Sequence, residues 1–139
     1  MKIGLYAGSF NPYHLGHENI RLKATKIFDQ VVVAFGKNPE KNIHQSFPPA
    51  NIGKVIFYDG LLTELIERLE LEGNDVTLIR GLRNSTDLQY ELTQYRFLQD
   101  LKPDIKVVSI FCDKEYEHIS SSGIRMLQKY GKGDEYLLK

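Results

Sequence analysis

Residues 2–28 read KIGLYAGSFNPYHLGHENIRLKATKIF, and this stretch decides the predicted fold. Residues 2–8 are nearly all apolar and end in glycine, which is typical of a buried strand. The segment 17–28 predicts an amphipathic helix whose apolar stripe is formed by Ile20, Ala24, Ile27 and Phe28. A buried strand that leads into such a helix is the repeating unit of parallel α/β sheets.

The rest of the chain repeats this unit. Further strands are predicted at 30–36, 54–60, 76–81 and 105–112. Further helices are predicted at 61–73, 85–101 and 121–130, with Gly73 and Gly131 as C-terminal caps. The helix 85–101 is expected to bury a stripe formed by Leu88, Leu92, Tyr95 and Leu98 or Gln99.

The strands are continuously apolar rather than alternating, as parallel strands covered on both faces are. We therefore predict a single domain, 1–139, with a doubly wound, Rossmann-like α/β fold and a five-stranded parallel sheet. The connection 37–51 contains Pro48 and Pro49 and shows no apolar period. We expect it to be an irregular, shortened crossover between the second and third strands.

The composition excludes several classes of partner. Lysine plus arginine and aspartate plus glutamate both number 18, so no overall basic field is available to attract nucleic acid. No apolar run is long enough to cross a bilayer and no signal-peptide pattern is present, which predicts no membrane partner and a cytoplasmic location. The single cysteine, Cys112, is interpreted as a buried thiol at the end of the last strand.

Unusual polar residues follow the first, fourth and fifth strands, at the strand ends where open α/β sheets bind ligands. In GSFNPYHLGH, 8–17, a hydroxyl and glycines let the backbone approach a ligand, and the following helix offers N–H groups to an anion. This pattern predicts a phosphate site that includes His17. Two alternatives stay open: the H-x-x-H spacing binds a metal, or His14 and His17 only cap the helix.

Two further groups of residues suit phosphate. In IRGLRNSTDLQYE, 79–91, the forked donors of Arg80 and Arg83 match phosphate oxygens, with a solvated Arg83–Asp87 ion pair as the alternative. In HISSSGIR, 118–125, three serines before a helix supply an N-cap and donors for an anion. Because the protein has no net charge, an anion must be bound by such local groups.

These residues carry a family resemblance. GSFNP, 8–12, with His14-x-Gly16-His17 and the late ISSS segment, resembles the HxGH nucleotidyltransferases, and IRGLRNSTDLQYE resembles the phosphopantetheine adenylyltransferases among them. The resemblance implies transfer of AMP from ATP to 4′-phosphopantetheine, giving dephospho-coenzyme A and pyrophosphate. It also implies Mg²⁺ held mainly through the ATP phosphates, no metal ligands from the protein, and a homo-oligomer, which is a hexamer in bacterial members.

The same resemblance implies residue roles. The catalytic residues it implies are His17, Ser9, Lys41 and Arg80. The ATP-binding residues it implies are Ser9, Phe10, His14, Gly16, His17, Gly81, Leu82, Arg83, Glu91, Tyr116, Ile119, Ser120, Ser121 and Ser122. The acceptor-binding residues it implies are Ser9, Lys41, Leu62 and Arg80, with Lys41 and Arg80 on the acceptor phosphate and Leu62 on the pantetheine arm.

Three features depart from the family pattern. Ser9 stands where the family usually has threonine, which keeps the hydroxyl. SFNPYHLGH and SSSGIR are closer to the nicotinate or nicotinamide mononucleotide adenylyltransferases, so that activity is the alternative function, followed by a non-catalytic nucleotide-binding module. The Thr-x-x-Glu-Arg helix that the family usually carries between strands two and three is missing.

The expected mechanism is direct in-line attack by an acceptor phosphate oxygen on the α-phosphorus of ATP. The nucleophile is already an anion near neutral pH, so no general base is required. No serine or cysteine stands beside a basic partner at these strand ends, which argues against a covalent intermediate. The protein then acts by positioning and by neutralising charge, through His17, Lys41, Arg80 and Arg83.

Overall fold

The computed structural model describes residues 1–37 and 48–139. Its strands are β1 (Lys2–Gly8), β2 (Gln30–Gly36), β3 (Lys54–Tyr58), β4 (Asp75–Leu82) and β5 (Val107–Phe111). Its helices are α1 (Leu15–Ala24), α2 (Leu62–Leu71), α3 (Ser85–Leu101) and α4 (Ser121–Gln128), with 3₁₀ turns at Lys114–Tyr116 and Asp134–Tyr136. Within the described ranges, each helix is too short or too polar to span a bilayer.

The five described strands pair in parallel in the order β3-β2-β1-β4-β5, which confirms the predicted doubly wound sheet. β1 lies at the centre, where Gly4 pairs with Val31 of β2 on one side and with Thr77 of β4 on the other. The chain first moves outward from β1 to β3 and then crosses back to β4, so the strand order reverses between β1 and β4. Ligands bind beside the carboxyl ends of the strands at such a reversal.

Apolar side chains cover both faces of the sheet. On one face Ile20 of α1 and Val33 of β2 belong to one buried cluster, the first core cluster. On the other face Ile66 of α2 and Val32 of β2 belong to another, the second core cluster. Val32 and Val33 enter different clusters because successive side chains of a strand point to opposite faces. Burying a side chain of this size stabilises the fold by about 1.5–3 kcal/mol, so α1 and α2 are held by the sheet.

Helix α1 begins and ends earlier than the sequence predicts. It starts at Leu15 because His14 caps it, and its last residue is Ala24. Ile20 and Ala24 are buried as predicted. The predicted stripe is wrong at Ile27, which lies beyond the end of the helix and is 60% exposed.

Helix α3 has the predicted bounds but not the predicted burial. None of its residues is fully buried, and Leu88 and Leu92 are exposed, so the stripe is wrong at these two positions. Only its middle part approaches the core, where Tyr95 and Leu98 pack against it while partly exposed. The helix therefore leaves an apolar surface uncovered and contributes its first turns to the site.

The two predicted glycine caps are confirmed. Gly73 and Gly131 have φ angles of 92° and 72°, in the left-handed region that residues with a Cβ rarely adopt. The N–H of each glycine donates to a carbonyl of the preceding last turn, on Glu70 and Gln128 respectively. Gly73 lies between the end of α2 at Leu71 and the start of β4 at Asp75.

Candidate active site

A cavity of about 550 Å³ lies at the carboxyl ends of β1 and β4, where the strand order reverses. Its lining comes from the HxGH loop (residues 8–17), from the end of β4, from the first turns of α3, and from residues 119–125 at the start of α4. These are the strand ends at which the sequence places its phosphate-binding patterns.

Two histidines cap α1 reciprocally within the HxGH loop. The backbone N–H of Gly16 donates to His14 Nδ1, and the backbone N–H of His14 donates to His17 Nδ1, both at 3.0 Å. The two rings stack with their centroids 3.7 Å apart. Because Nδ1 accepts a hydrogen bond in each ring, each neutral imidazole carries its proton on Nε2, and that nitrogen can donate to a ligand. The two histidines do cap the helix, but the alternative that they only cap it stays untested, because each Nε2 can also donate to a phosphate.

Both imidazoles are neutral near pH 7. Burial, with a smaller effect from the Arg83 guanidinium, lowers the pKa of His14 to about 4. Burial also lowers the pKa of His17 well below its usual range, with further contributions from His14 and Arg83. His17 can therefore act in this site as a neutral N–H donor and not as a cation.

Close packing holds the HxGH loop in shape. Gly16 is needed because a Cβ there would lie only 2.9 Å from His14 Cε1, closer than real side chains approach. Phe10 has a φ angle of 46°, an unusual left-handed conformation for a bulky residue. Its ring meets the rings of His17 and Tyr13 edge-on, with centroids 4.9 and 5.3 Å away. These contacts place the loop by packing against the first core cluster.

Arg83 lines the cavity and is held by Asp87 and by a carbonyl. Its Nε and Nη2 donate to the two carboxylate oxygens of Asp87 at 2.8 and 2.9 Å, and its Nη1 donates to the Ile119 carbonyl at 3.0 Å. The bidentate contact lowers the pKa of Asp87. The ion pair that stood as the alternative is therefore confirmed, but both partners line the cavity rather than a solvated surface.

Arg80 is held less completely. Its Nη1 donates to the Ala7 carbonyl at 3.2 Å, and its Nε lies 3.3 Å from Glu91 Oε2. These last two atoms are buried, yet in the part of the chain that is described neither has a partner in hydrogen-bonding geometry. Burial raises the pKa of Glu91, and Arg80 opposes that shift. Of these two atoms, Arg80 Nε carries the unpaired N–H that an anionic ligand could accept from, whereas Glu91 Oε2 is itself an acceptor.

The start of α4 is tied to the HxGH loop. Ser120 caps the helix, since its side chain accepts a backbone N–H of the first turn. Ser121 Oγ donates to the Pro12 carbonyl at 2.9 Å, and Arg125 Nη1 donates to the Asn11 carbonyl at 2.5 Å. The positive end of the α4 dipole therefore lies beside the histidines, where it favours an anion.

The structure brings most of the predicted site residues together. Those that line the cavity are Ser9, Phe10, His14, Gly16, His17, Arg80, Gly81, Leu82, Arg83, Glu91, Ile119, Ser120, Ser121 and Ser122. Leu62 and Tyr116, both described, lie outside the lining. Leu62 packs at the edge of the second core cluster, and the Tyr116 carbonyl lies 3.8 Å from where a Cβ on Gly16 would be. Lys41 falls within 38–47, outside the described residues.

Sequence reasoning missed several lining residues, among them Tyr6, Tyr90, Cys112 and Arg125. Arg125 carried a usable signal, because it is a cation one turn into a helix that opens with serines. The interpretation of Cys112 as a buried strand thiol is wrong, since it follows the last residue of β5, is partly exposed and lines the cavity. Partial burial raises the pKa of its thiol, which therefore stays protonated.

Comparison with known sequences points to one family. Residues 5–127 match the family model described as cytidylyltransferase-like. A phosphopantetheine adenylyltransferase from Streptococcus pneumoniae (strain CGSP14) is 36% identical over 146 residues, covering 94% of this chain and 86% of the relative. A phosphopantetheine adenylyltransferase from Mycoplasma capricolum subsp. capricolum is 36% identical over 143 residues, covering 95% of this chain and 100% of the relative.

Comparison with solved structures supports the fold. A protein described as a nicotinate-nucleotide adenylyltransferase from Vibrio parahaemolyticus superposes with a TM-score of 0.61 and 19% identity, over 96% of this chain and 83% of that one. A bifunctional NMN adenylyltransferase/ADP ribose pyrophosphatase from Francisella tularensis gives a TM-score of 0.56 and 14% identity, over 98% of this chain and 44% of that one. At these identities the likeness shows the same fold and does not decide between acceptors.

Proposed function

The chain belongs to the cytidylyltransferase-like family and, within it, to the phosphopantetheine adenylyltransferases, and on this premise we propose that it transfers AMP from ATP to 4′-phosphopantetheine. The products are dephospho-coenzyme A and pyrophosphate. The observation that carries the proposal is the meeting of His17, Arg80 and the serines 120–122 in one cavity at the reversal of the sheet. These are donors for two phosphorylated substrates, and they come from three separate strand ends.

His17 stabilises the transferred phosphate in this mechanism. Its Nδ1 is occupied by the His14 backbone N–H, so the proton on Nε2 is the one that it donates to a non-bridging oxygen of the α-phosphate. Negative charge gathers on that oxygen as the acceptor attacks in line. A donor that is already positioned and needs no reorganisation lowers the barrier at that moment.

Arg80 and Lys41 bind the acceptor phosphate in this mechanism, and the exposed Ser9, which follows β1, lines the same cavity as Arg80. Support for Arg80 comes from its incomplete pairing with Glu91, because a phosphate supplies the hydrogen-bond acceptors that Arg80 Nε lacks. The attacking phosphate is already anionic, so the residues only orient it. Cys112 does not act as a nucleophile, since its raised pKa keeps the thiol protonated.

The departing pyrophosphate is stabilised from the α4 side of the cavity. Arg83 and Arg125 supply positive charge there, and Ser120–Ser122 supply hydroxyl and backbone donors at the helix start. Arg83 is bound by Asp87, which fixes the direction of its fork before any substrate arrives. Charge neutralisation by fixed groups is the main protein contribution in transfers of this kind.

Magnesium fits this site as a companion of ATP rather than as a resident ion. In the described ranges, His, Cys, Asp and Glu side chains do not come together in a group of three or more that would hold a metal. The two carboxylates of the lining, Asp87 and Glu91, are each paired with an arginine. Mg²⁺ bound to the ATP phosphates would neutralise part of their charge, while the arginines and the HxGH loop position them.

Pyrophosphate release tests the proposal directly. We expect turnover with ATP and 4′-phosphopantetheine, and little or none with nicotinate or nicotinamide mononucleotide at the same ATP concentration. The mononucleotides are the appropriate competitors because the HxGH loop and the SSSGIR segment resemble enzymes that use them. A higher kcat/KM with a mononucleotide would show that the acceptor is a mononucleotide and not phosphopantetheine. Binding of ATP without release of pyrophosphate would show that the protein binds nucleotide without catalysing the transfer.

Lys41→Ala provides a separate test of the acceptor side. We expect it to raise the KM for phosphopantetheine while the KM for ATP stays within about two-fold, because removing a phosphate ligand from one substrate does not weaken the binding of the other. An unchanged phosphopantetheine KM would show that the short connection between β2 and β3 carries this lysine away from the acceptor.

The protein is further proposed to work in the cytoplasm as a homo-oligomer, with a hexamer as the form expected from the family. The uncovered apolar side of α3, which includes Phe97 and Leu101, supports a subunit interface there. Light scattering coupled to size-exclusion chromatography measures the assembly. A monomer over the whole working concentration range would contradict it.

A further inference from the structure

A buried polar network lies beneath the HxGH loop, and the mechanism above does not use it. Tyr13 is 2% exposed, and its hydroxyl donates to Glu18 Oε1 at 3.0 Å. Glu18 in turn accepts from Arg21, with Nε to Oε1 at 2.5 Å and Nη2 to Oε2 at 2.9 Å. The Arg21 and Glu18 side chains are only 11% and 16% exposed, so solvent does little to loosen this bidentate pair.

The ring of Tyr13 lies directly against His17. Their centroids are 5.2 Å apart and their planes are tilted by 37°. Among the described residues, the His17 ring also meets the rings of Phe10 and Tyr6 edge-on, with centroids 4.9 and 6.4 Å away, and it stacks on His14. His14 is placed by the helix cap and Phe10 by apolar packing alone, whereas Tyr13 is tethered to a charged group by its hydroxyl.

A tether of this kind matters because the hydrogen bond at Nδ1 does not by itself fix the imidazole. A ring that is held at one nitrogen can rock about that bond, and the motion is largest at the far nitrogen, Nε2. Displacing a reacting or stabilising group by about 1 Å costs on the order of 10²-fold in rate. The Tyr13 ring, which packs against His17, limits this rocking only if the Tyr13 ring is itself held in place.

We propose that Tyr13, tethered through Glu18 to Arg21, is a positioning residue that holds the His17 imidazole at the angle at which Nε2 reaches the transferred phosphate. This inference rests on the proposed function, which supplies that phosphate. Arg21, at the far end of the network, lies beside the segment before β3, since its Nη1 is 3.4 Å from where a Cβ on Gly53 would be. The contacts run without a break from Arg21 through Glu18 and Tyr13 to the His17 ring.

The first test removes the tether and keeps the ring. Tyr13→Phe is expected to lower kcat roughly 10-fold while both KM values stay within about two-fold, because substrate contacts are untouched. Glu18→Ala should have the same effect, and Glu18→Gln, which keeps an oxygen to accept from Tyr13, should recover most of the loss. Tyr95→Phe is the matched control, since it removes a hydroxyl that hydrogen-bonds to Gln99 on α3. An unchanged kcat in both Tyr13→Phe and Glu18→Ala overturns the proposal.

A double-mutant cycle separates positioning from simple stabilisation of α1. In a His17→Ala background, Tyr13→Phe should lower kcat by less than about two-fold, because the group through which it acts is gone. Equal losses in the two backgrounds would mean that Tyr13 acts independently of His17, which overturns the proposal. The melting temperature of every variant is measured. If Tyr13→Phe fails to fold, Glu18→Ala takes its place in the cycle, with Glu18→Gln as the variant that keeps the acceptor for Tyr13.

A ligand-free measurement keeps this inference distinguishable from the proposed function. In two-bond ¹H–¹⁵N spectra of the imidazoles, His17 should show the neutral form with its proton on Nε2, and Tyr13→Phe should broaden or shift its signals while those of His118 stay in place. If the wild-type protein does not turn over phosphopantetheine but the His17 signals respond, the proposed function fails and the positioning role stands. If it turns over and neither kcat nor the His17 signals respond, the positioning role fails.

Discussion

The two walls of the cavity are prepared in different ways. The HxGH wall presents neutral donors, and its two imidazoles are oriented by backbone N–H groups that belong to the same loop. The arginine wall, formed by Arg80 and Arg83 with the carboxylates of α3, presents charges that are held by ion pairs. One wall is thus set by the folding of the loop, and the other depends on contacts between β4 and α3.

The two arginines of the arginine wall differ in how completely they are paired. Arg83 has a bidentate carboxylate and a carbonyl, so its direction is set in advance. Arg80 has a carbonyl and a misaligned carboxylate, which leaves buried hydrogen-bonding capacity unused. In the proposed function this difference suits the two substrates, because a fixed cation fits the ATP side and an incompletely bound one fits an acceptor phosphate for which it would change partner.

Removing the donor from the HxGH wall should have the largest effect. His17→Ala is expected to lower kcat by roughly 10²–10³-fold, which is about 3–4 kcal/mol of lost transition-state stabilisation. His17→Asn keeps an oxygen near the position of Nδ1 and therefore keeps the cap, yet it lacks the Nε2 donor, so it should lose similar activity with a nearly native melting temperature. Turnover close to wild type in either variant would remove His17 from the chemistry.

The second-largest effect is expected from acid, which should lower the free energy of unfolding through the histidines of the HxGH wall. The pKa of His14 is lowered from 6.5 to about 4, so between these values the unfolded chain binds a proton that the folded protein does not. Stability is full above pH 6.5 and declines as the pH falls toward 4, by about 3 kcal/mol for this residue, with the lowered pKa of His17 acting in the same direction.

Denaturant titrations across this pH range measure that loss. His14→Asn, which retains an acceptor for the N–H of Gly16, should flatten the profile. An equally steep profile in the variant would assign the acid sensitivity to other groups.

On the arginine wall, Arg80→Ala should act mainly on the acceptor. The KM for phosphopantetheine is expected to rise roughly 10- to 150-fold, since a hydrogen bond to a charged group is worth about 1.5–3 kcal/mol, while the KM for ATP changes less than about three-fold. Arg96→Ala, on an arginine of α3 that lies over Tyr95, is the control and should leave both constants unchanged. A larger effect on ATP than on the acceptor would reverse the assignment of the two walls.

The smallest effect is expected at the Arg83–Asp87 ion pair, which is partly open to solvent. Asp87→Asn keeps one acceptor for Arg83 but removes its charge partner, and the KM for ATP should rise roughly 3- to 10-fold. The Arg83 side chain is 35% exposed, which screens the pair and keeps the effect modest. Asp75→Asn, in an exposed ion pair with Lys106 at the opposite ends of the strands, should not change it. A loss as large as that of His17→Ala would mean that Asp87 does more than orient Arg83.

Local sequence was sufficient to predict the secondary-structure elements and most of the residues that make up the site. Strand identity, the bounds of α3 and the caps at Gly73 and Gly131 follow from apolar runs, helical periodicity and glycine, all of which act between neighbours along the chain. The HxGH and arginine motifs indicated the cavity in the same way, because parallel strands bring their carboxyl ends to one edge of the sheet.

Contacts between distant segments decided the rest. Whether an apolar residue is covered depends on what packs against it, so Leu88 and Leu92 carry the right period and yet are exposed. Arg125 joins the site through the Asn11 carbonyl, 114 positions away in the sequence, and no local pattern encodes that separation. The state of His17 is likewise a property of burial, because an imidazole with a pKa near 6.5 in water is still protonated in about a quarter of molecules at pH 7, and burial lowers the pKa so that this charged fraction is lost.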